Sequence, residues 1–245
     1  MFPYHDENET ERTPIVTIGI IAINVLVWFL VQGAGATQAL AASVCNLGLI
    51  AGELTGALQP GVSTPLGDGL LCVIDQGPEL SHLFTSMFLH GGWMHLLGNM
   101  WFLWLFGNNI EDSMTRPRFA IFYLTCGLAA AFMQVFSNPA SSVPMIGASG
   151  AISGVMGAYL VLYPRVKVYT ILPLGFFSTT YALPAWVMLL YWIFLQVIGG
   201  FGASEGGVAF WAHVGGFIAG IVLVKLFSRR DRIAAHSAGH FRPVS

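Results

Sequence analysis

Residues 147–163 read GASGAISGVMGAYLVLY, an apolar run built on small residues with a hydroxyl, Ser149, at its head. The part that can lie in hydrocarbon, Gly150–Tyr163, gives about 21 Å of helix at ~1.5 Å per residue, against a core of ~30 Å. Pro164 and Arg165 follow at once and fix its other end at a polar surface. Five more apolar segments lie around it: Ile15–Val31, Trp93–Ile110, Phe119–Phe136, Leu183–Gly199 and Val208–Phe227. The expected fold class is an all-α polytopic membrane protein, a six-helix bundle whose short fourth helix is sunk below one surface. Hydrophobic residues make up 55% of the 245 and charged residues 9%, far from the roughly one-quarter charged share of soluble domains. The net charge of −2 favours no nucleic-acid partner.

The ten Lys and Arg residues orient the segments. Arg12 precedes the first; Arg116 and Arg118 follow the second; Arg165 and Lys167 follow the fourth; Lys225, Arg229, Arg230, Arg232 and Arg242 lie at or after the sixth. The joints after the first, third and fifth hold none. Loops that retain basic residues are cytoplasmic, so both termini are expected inside and the odd joints outside. The chain divides into an N-terminal tail, 1–14, a six-span domain, 15–227, and a basic C-terminal tail, 228–245. Asp6, Glu7, Glu9 and Glu11 ahead of the first span argue against a cleaved signal peptide, which needs a positive leader. Size and the lack of an organelle-targeting leader point to a bacterial plasma membrane.

Val168–Phe177 is apolar too, but ten residues broken by Pro173 are about half of what a crossing needs. It reads as a re-entrant or interfacial part of the inner joint. In the long outer joint, 32–92, Cys45 and Cys72 fall where an oxidising compartment permits a disulfide, two free thiols being the alternative. Cys126, within the third span, reads as a packing residue. His5, His236 and His240 lie in the tails without a ligand cluster, so no metal and no cofactor are expected.

Polar groups in hydrocarbon are costly, and each is a functional candidate. His95 and Asn99 stand on the second span, Ser149 at the head of the fourth, and His213 early in the sixth. All three spans run in the same direction, so the four residues share one depth in the outer part of the bilayer. A hydrogen bond between helices would explain any one of them, but not four at one level. Gly150, Gly154 and Gly157 on the fourth span and Gly216 and Gly220 on the sixth have the spacing that lets helix backbones approach closely. His213, Gly216 and Gly220 share a face, which carries the imidazole toward Ser149.

The sequences around these residues are specific. Gly147-Ala148-Ser149-Gly150 opens the fourth span; Ala212-His213-Val214-Gly215-Gly216-Phe217, with Gly220, opens the sixth; His90, His95 and Asn99 form H-x4-H-x3-N at the start of the second. With six spans and a long first outer joint, this resembles the rhomboid family of intramembrane serine proteases, over about Ile15 to Phe227. The resemblance implies Ser149 as nucleophile, His213 as general base, and His95, Asn99 and the Ser149 backbone N–H as the oxyanion hole, with Gly147 letting the chain approach the substrate carbonyl. It implies single-span membrane proteins as substrates, cleaved in or near the transmembrane segment, and no cofactor; the oligomeric state stays open. The glycine-rich joint Gly199–Gly207 matches a lid over the site, a plain flexible turn being the alternative. Trp186, Trp192 and Phe194 of the fifth span match a lateral gate.

Three departures stand out. The family often has an aromatic residue four positions after the nucleophile, beneath the imidazole; Ser153 stands there, so another group must orient His213. Ser81 and His82 replace a common Trp-Arg, and Gly98 stands where a bulky residue is sometimes found. The alternative function is a catalytically inactive relative that binds membrane helices as a chaperone. A transporter using the polar residues as a pathway would call for an inverted repeat, and the sequence shows none.

Overall fold

In the computed structural model, which describes residues 2–67, 69–74, 79–174, 177–202, 208–229 and 231–233, each of the six apolar segments is helical. In chain order the elements are β1 (Phe2–Asp6), α1 (Ile15–Leu30), α2 (Thr37–Leu47), α3 (Ala51–Leu54), β2 (Ser63–Gly67), β3 (Leu70–Val73), α4 (His82–Thr85), α5 (Trp93–Asp112), α6 (Arg116–Ser137), α7 (Ser149–Leu162), β4 (Lys167–Leu174), β5 (Phe177–Pro184), α8 (Ala185–Gly202) and α9 (Phe210–Phe227). By length and composition α6, α8 and α9 are each able to cross a membrane. α1 and α7 are shorter apolar helices, and α5 is diluted by Asn99, Asn108, Asn109, Glu111 and Asp112.

α7 is the axis of the bundle. Every residue from Gly150 to Tyr159 is buried, as expected for a helix that is apolar on all sides, and α5, α6 and α9 pack around it. Its glycines set the distance to α9. A methyl group added at Gly216 would fall on the carbonyl of Gly150, one at Gly220 on the carbonyl of Gly154, and one at Gly157 on the carbonyl of Phe217. Gly154 is also filled from the other side by Cys126 of α6, which is buried and free.

The two ends of the bundle are tied differently. At one end, Arg12 binds the Asp112 carboxylate through Nε at 2.9 Å and its carbonyl through Nη2. Glu111 accepts from the backbone N–H groups of Val16 at 3.0 Å and Thr17 at 2.7 Å, placing a carboxylate at the positive end of α1. Arg118, Arg229 and Arg232 bond to backbone at this same end. At the other end, the buried Gln32 side chain both donates to the His90 carbonyl and accepts from its N–H, each at 2.8 Å, joining the exit of α1 to the entrance of α5. A disulfide links Cys45 and Cys72, with Cα atoms 5.3 Å apart.

The all-α expectation needs correction, because two small sheets are present. β2 and β3 form a hairpin in the outer joint. The inner joint, read as re-entrant or interfacial, is a hairpin of β4 and β5, and the tail read as 1–14 begins with a strand, giving a sheet of order β1-β4-β5. The local reason is composition: Val168-Tyr169-Thr170-Ile171 and Thr179-Thr180-Tyr181 are β-branched and aromatic runs that favour a pleated surface. β1 also lies along α5. Trp101 Nε1 donates to the Pro3 carbonyl at 2.7 Å, Phe2 stacks on Trp101, and two turns further along the helix Asn109 Nδ2 donates to Asp6 at 3.0 Å. The Tyr159 hydroxyl donates to the same Asp6 oxygen at 2.5 Å.

Two outcomes follow from this packing. Gly216→Ala should lower stability in detergent by about 1–3 kcal/mol, since backbone rather than a flexible side chain must yield. Gly98→Ala, with nothing within 4 Å of the added methyl, should instead raise it by about 0.5–1 kcal/mol; thermal unfolding checks both. Burial raises the Asp6 carboxyl from 3.8 to about 6, against the hydrogen bond from Tyr159 and the charge of His5. The docked strand thus binds a proton more tightly than the free one, so docking is strongest below 3.8 and weakens as pH rises through about 6. Amide exchange at residues 2–6, corrected for intrinsic rates, should be slower at about pH 5 than at about pH 7.5, and Asp6→Asn should abolish the difference.

Candidate active site

The site is assembled where α7 and α9 both begin. Gly147 takes φ +124°, a backbone conformation that side chains resist, and its N–H donates to the Ser86 carbonyl at 2.9 Å. The chain then turns directly into α7, so Ser149 sits in the first turn, where helix N–H groups lack partners within the helix. α9 starts beside it because Gln134 of α6 accepts from the Ala212 N–H at 3.2 Å. His213 follows, and its Nε2 lies 2.8 Å from Ser149 Oγ.

The second pair of polar residues stands on α5. His95 Nδ1 accepts from the Gly91 N–H at 3.2 Å, which leaves Nε2 as the protonated nitrogen of the neutral ring. That Nε2 faces Gly147: a Cβ placed there would lie 2.8 Å from it and 3.5 Å from Ser149 Oγ. Asn99, one turn further and on the same face, is buried, and its Nδ2 has no hydrogen-bond partner among the described residues. An unpaired buried donor is expensive unless something else uses it. The His90 ring packs edge-on against His95 at 5.1 Å.

Ser149, His213, His95 and Gly147 are thus brought together, with Asn99 one turn away on α5. Gly150, Gly154, Gly157, Gly216 and Gly220 form the seam beneath them. Ser153 donates to the Ser149 carbonyl at 2.6 Å. Phe201 packs edge-on against Trp211 of α9, while residues 203–207 of the expected lid joint lie outside the described residues. A groove of about 390 Å³ opens between residues 138–146 and the start of α9.

Gln196 of α8 escaped the sequence reading, and Trp192 makes a contact beyond the gate role expected of it. Gln196 Oε1 lies 2.8 Å from His213 Nδ1, and the ring of Trp192 lies 5.7 Å from the imidazole, tilted by 40°. The signal was there for Gln196: between Trp192 and Ile198 it is the one strongly polar side chain in an apolar helix, and the rule that singled out Asn99 applies to it equally. Trp192 was noted only as a gate residue. It covers the ring that Ser153 does not.

Residues 77–230, more than half of the chain, match the family model described as "Rhomboid domain". Among similar proteins, the Presenilin-associated rhomboid-like protein A, mitochondrial, of Danio rerio is 33% identical over 135 residues, covering 51% of this chain and 35% of that protein. Rhomboid-like protein 11, chloroplastic, of Arabidopsis thaliana is 28% identical over 155 residues, covering 62% and 54%. Rhomboid-like protease 5 of Toxoplasma gondii is 31% identical over 154 residues, covering 59% and 16%. The chain therefore spans roughly half or less of the length of these relatives.

Proposed function

This chain belongs to the rhomboid family, and from that membership we propose that it is an intramembrane serine endopeptidase, with Ser149 as nucleophile and His213 as general base. The observation that carries the reading is the 2.8 Å approach of Ser149 Oγ to His213 Nε2 across two close-packed helices. All six long helices cross the bilayer in this proposal. Both termini are cytoplasmic, a reading supported by the arginines gathered at the end opposite Ser149. The 14-residue α7 leaves its head below the other surface, so Ser149 opens to water from the non-cytoplasmic side. The proposed setting is a bacterial plasma membrane; the organelles named for two relatives are theirs.

The chemistry follows from the contacts. A serine hydroxyl is a weak nucleophile until a neighbouring base takes its proton. Ser149 Oγ attacks the scissile carbonyl carbon as its proton passes to His213 Nε2. The carbonyl oxygen becomes an oxyanion, for which the Nε2–H of His95, the Nδ2–H of Asn99 and the backbone N–H of Ser149 are the donors; a buried Asn99 Nδ2 with no hydrogen-bond partner among the described residues supports this reading. His213 then gives the proton to the leaving amine, leaving an ester on Ser149, and water activated by the same imidazole releases it. Substrates are single-span membrane proteins with a segment able to unwind, since a peptide bond within a helix is shielded from attack. A helix-binding chaperone without activity gains nothing from a hydroxyl held against an imidazole.

A fluorophosphonate probe tests the reading. Wild type should be labelled at Ser149, Ser149→Ala should not, and His213→Ala should lose at least about 10³-fold in rate. Absence of wild-type labelling and of substrate cleavage would favour the chaperone. Asn99→Ala should lower kcat by about 10²–10³-fold with little change in KM, because the donor acts on charge present only in the transition state.

A further inference from the structure

Within the protease reading, on which this inference rests, we propose that Gln196 is a positioning residue that sets the tautomer of His213 and so acts as the uncharged third member of the catalytic group. A general base needs its lone pair on Nε2, toward Ser149, and therefore its proton on Nδ1. A neutral imidazole in isolation has no strong reason to choose that form; the partner at Nδ1 decides. Here the partner is an amide, which can present either an oxygen or an NH2 group. Presenting the NH2 group would drive the proton to Nε2 and abolish the base, the failure that follows when an amide replaces the carboxylate of a Ser-His-Asp triad.

The structure resolves the ambiguity through α8 itself. Gln196 Nε2 donates to the carbonyl of Trp192, one turn earlier, at 3.3 Å. That bond occupies the NH2 group and turns Oε1 toward His213 Nδ1, at 2.8 Å. The amide is thus locked as an acceptor and Nδ1–H as the donor. Trp192 contributes twice, by its carbonyl and by the ring that lies 5.7 Å from the imidazole. A neutral acceptor also suits the location: a carboxylate at this depth would bring a costly charge into the bundle, whereas Gln fixes the ring without one. One of its two amide N–H groups is satisfied within its own helix.

The test uses the full chain in detergent with 15N-labelled histidine, the His213 signals being identified by their loss in His213→Ala. Wild type should show Nδ1 protonated and Nε2 bare. Gln196→Met, matched in length but a poor acceptor, should shift the population toward the Nε2–H form and lower kcat by about 10- to 100-fold, less than the ~10⁴ lost with a triad carboxylate, with KM unchanged. Gln196→Glu, which still accepts from Nδ1, should restore the tautomer and most of the rate. A wild-type tautomer and rate in Gln196→Met would overturn the proposal, as would equal losses in the Met and Glu variants accompanied by the same fall in thermal stability. Should the wild type fail to label at Ser149, the protease reading fails on its own, while the tautomer measurement still reports whether Gln196 governs the imidazole.

Discussion

The contact between the backbones of α7 and α9 is the constraint from which the rest of the structure follows. Carbonyls of Gly150, Gly154 and Phe217 occupy the spaces where side chains on the facing helix would otherwise lie. Without a water-driven hydrophobic force between helices in lipid, dispersion and close backbone approach hold such pairs together. The same seam fixes the reach between Ser149 and His213, both short of a helical turn from the start of their helices. Packing and chemistry are therefore one problem here: any residue that parts the helices by the width of a methyl group also parts the hydroxyl from the imidazole.

Around that seam the polar groups are neutral. Ser149, His213, Gln196, His95 and Asn99 carry hydroxyl, imidazole and amide functions, while the carboxylates Asp6, Glu111 and Asp112 lie at the opposite end beside Arg12, Tyr159 and the start of α1. A low-dielectric interior strengthens each hydrogen bond and penalises each unpaired one. Ser149, His213 and Gln196 accordingly satisfy one another, while Asn99 Nδ2 has no hydrogen-bond partner among the described residues.

Much of this was legible in the sequence, for identifiable reasons. Segment length and hydropathy located the helices to within a few residues, because both are local properties of the chain. Ser149, His213, His95 and Asn99 stood out because polar residues are rare in apolar segments. Gln196 obeyed the same rule and was passed over, since its meaning depends on a partner 17 residues away in another helix. The strand Phe2–Asp6 could not be read at all: a five-residue strand has no period long enough to notice, and its partner, β4, lies beyond α7 in the chain. The apolar inner joint was correctly judged too short to cross, but its pairing into a hairpin needed the β-branched runs to be weighed against its proline.

That strand has a consequence for biosynthesis. Phe2–Asp6 leaves the ribosome more than 160 residues ahead of its pairing residues Val168–Ile171. At ~5–20 residues per second, the interval is roughly ten to thirty seconds. Throughout it, Phe2 and Tyr4 must wait unpaired while α1 to α7 are made. Asp6, Glu7, Glu9 and Glu11 sit beside them, and their mutual repulsion opposes self-association of the nascent strand until the inner hairpin arrives to receive it.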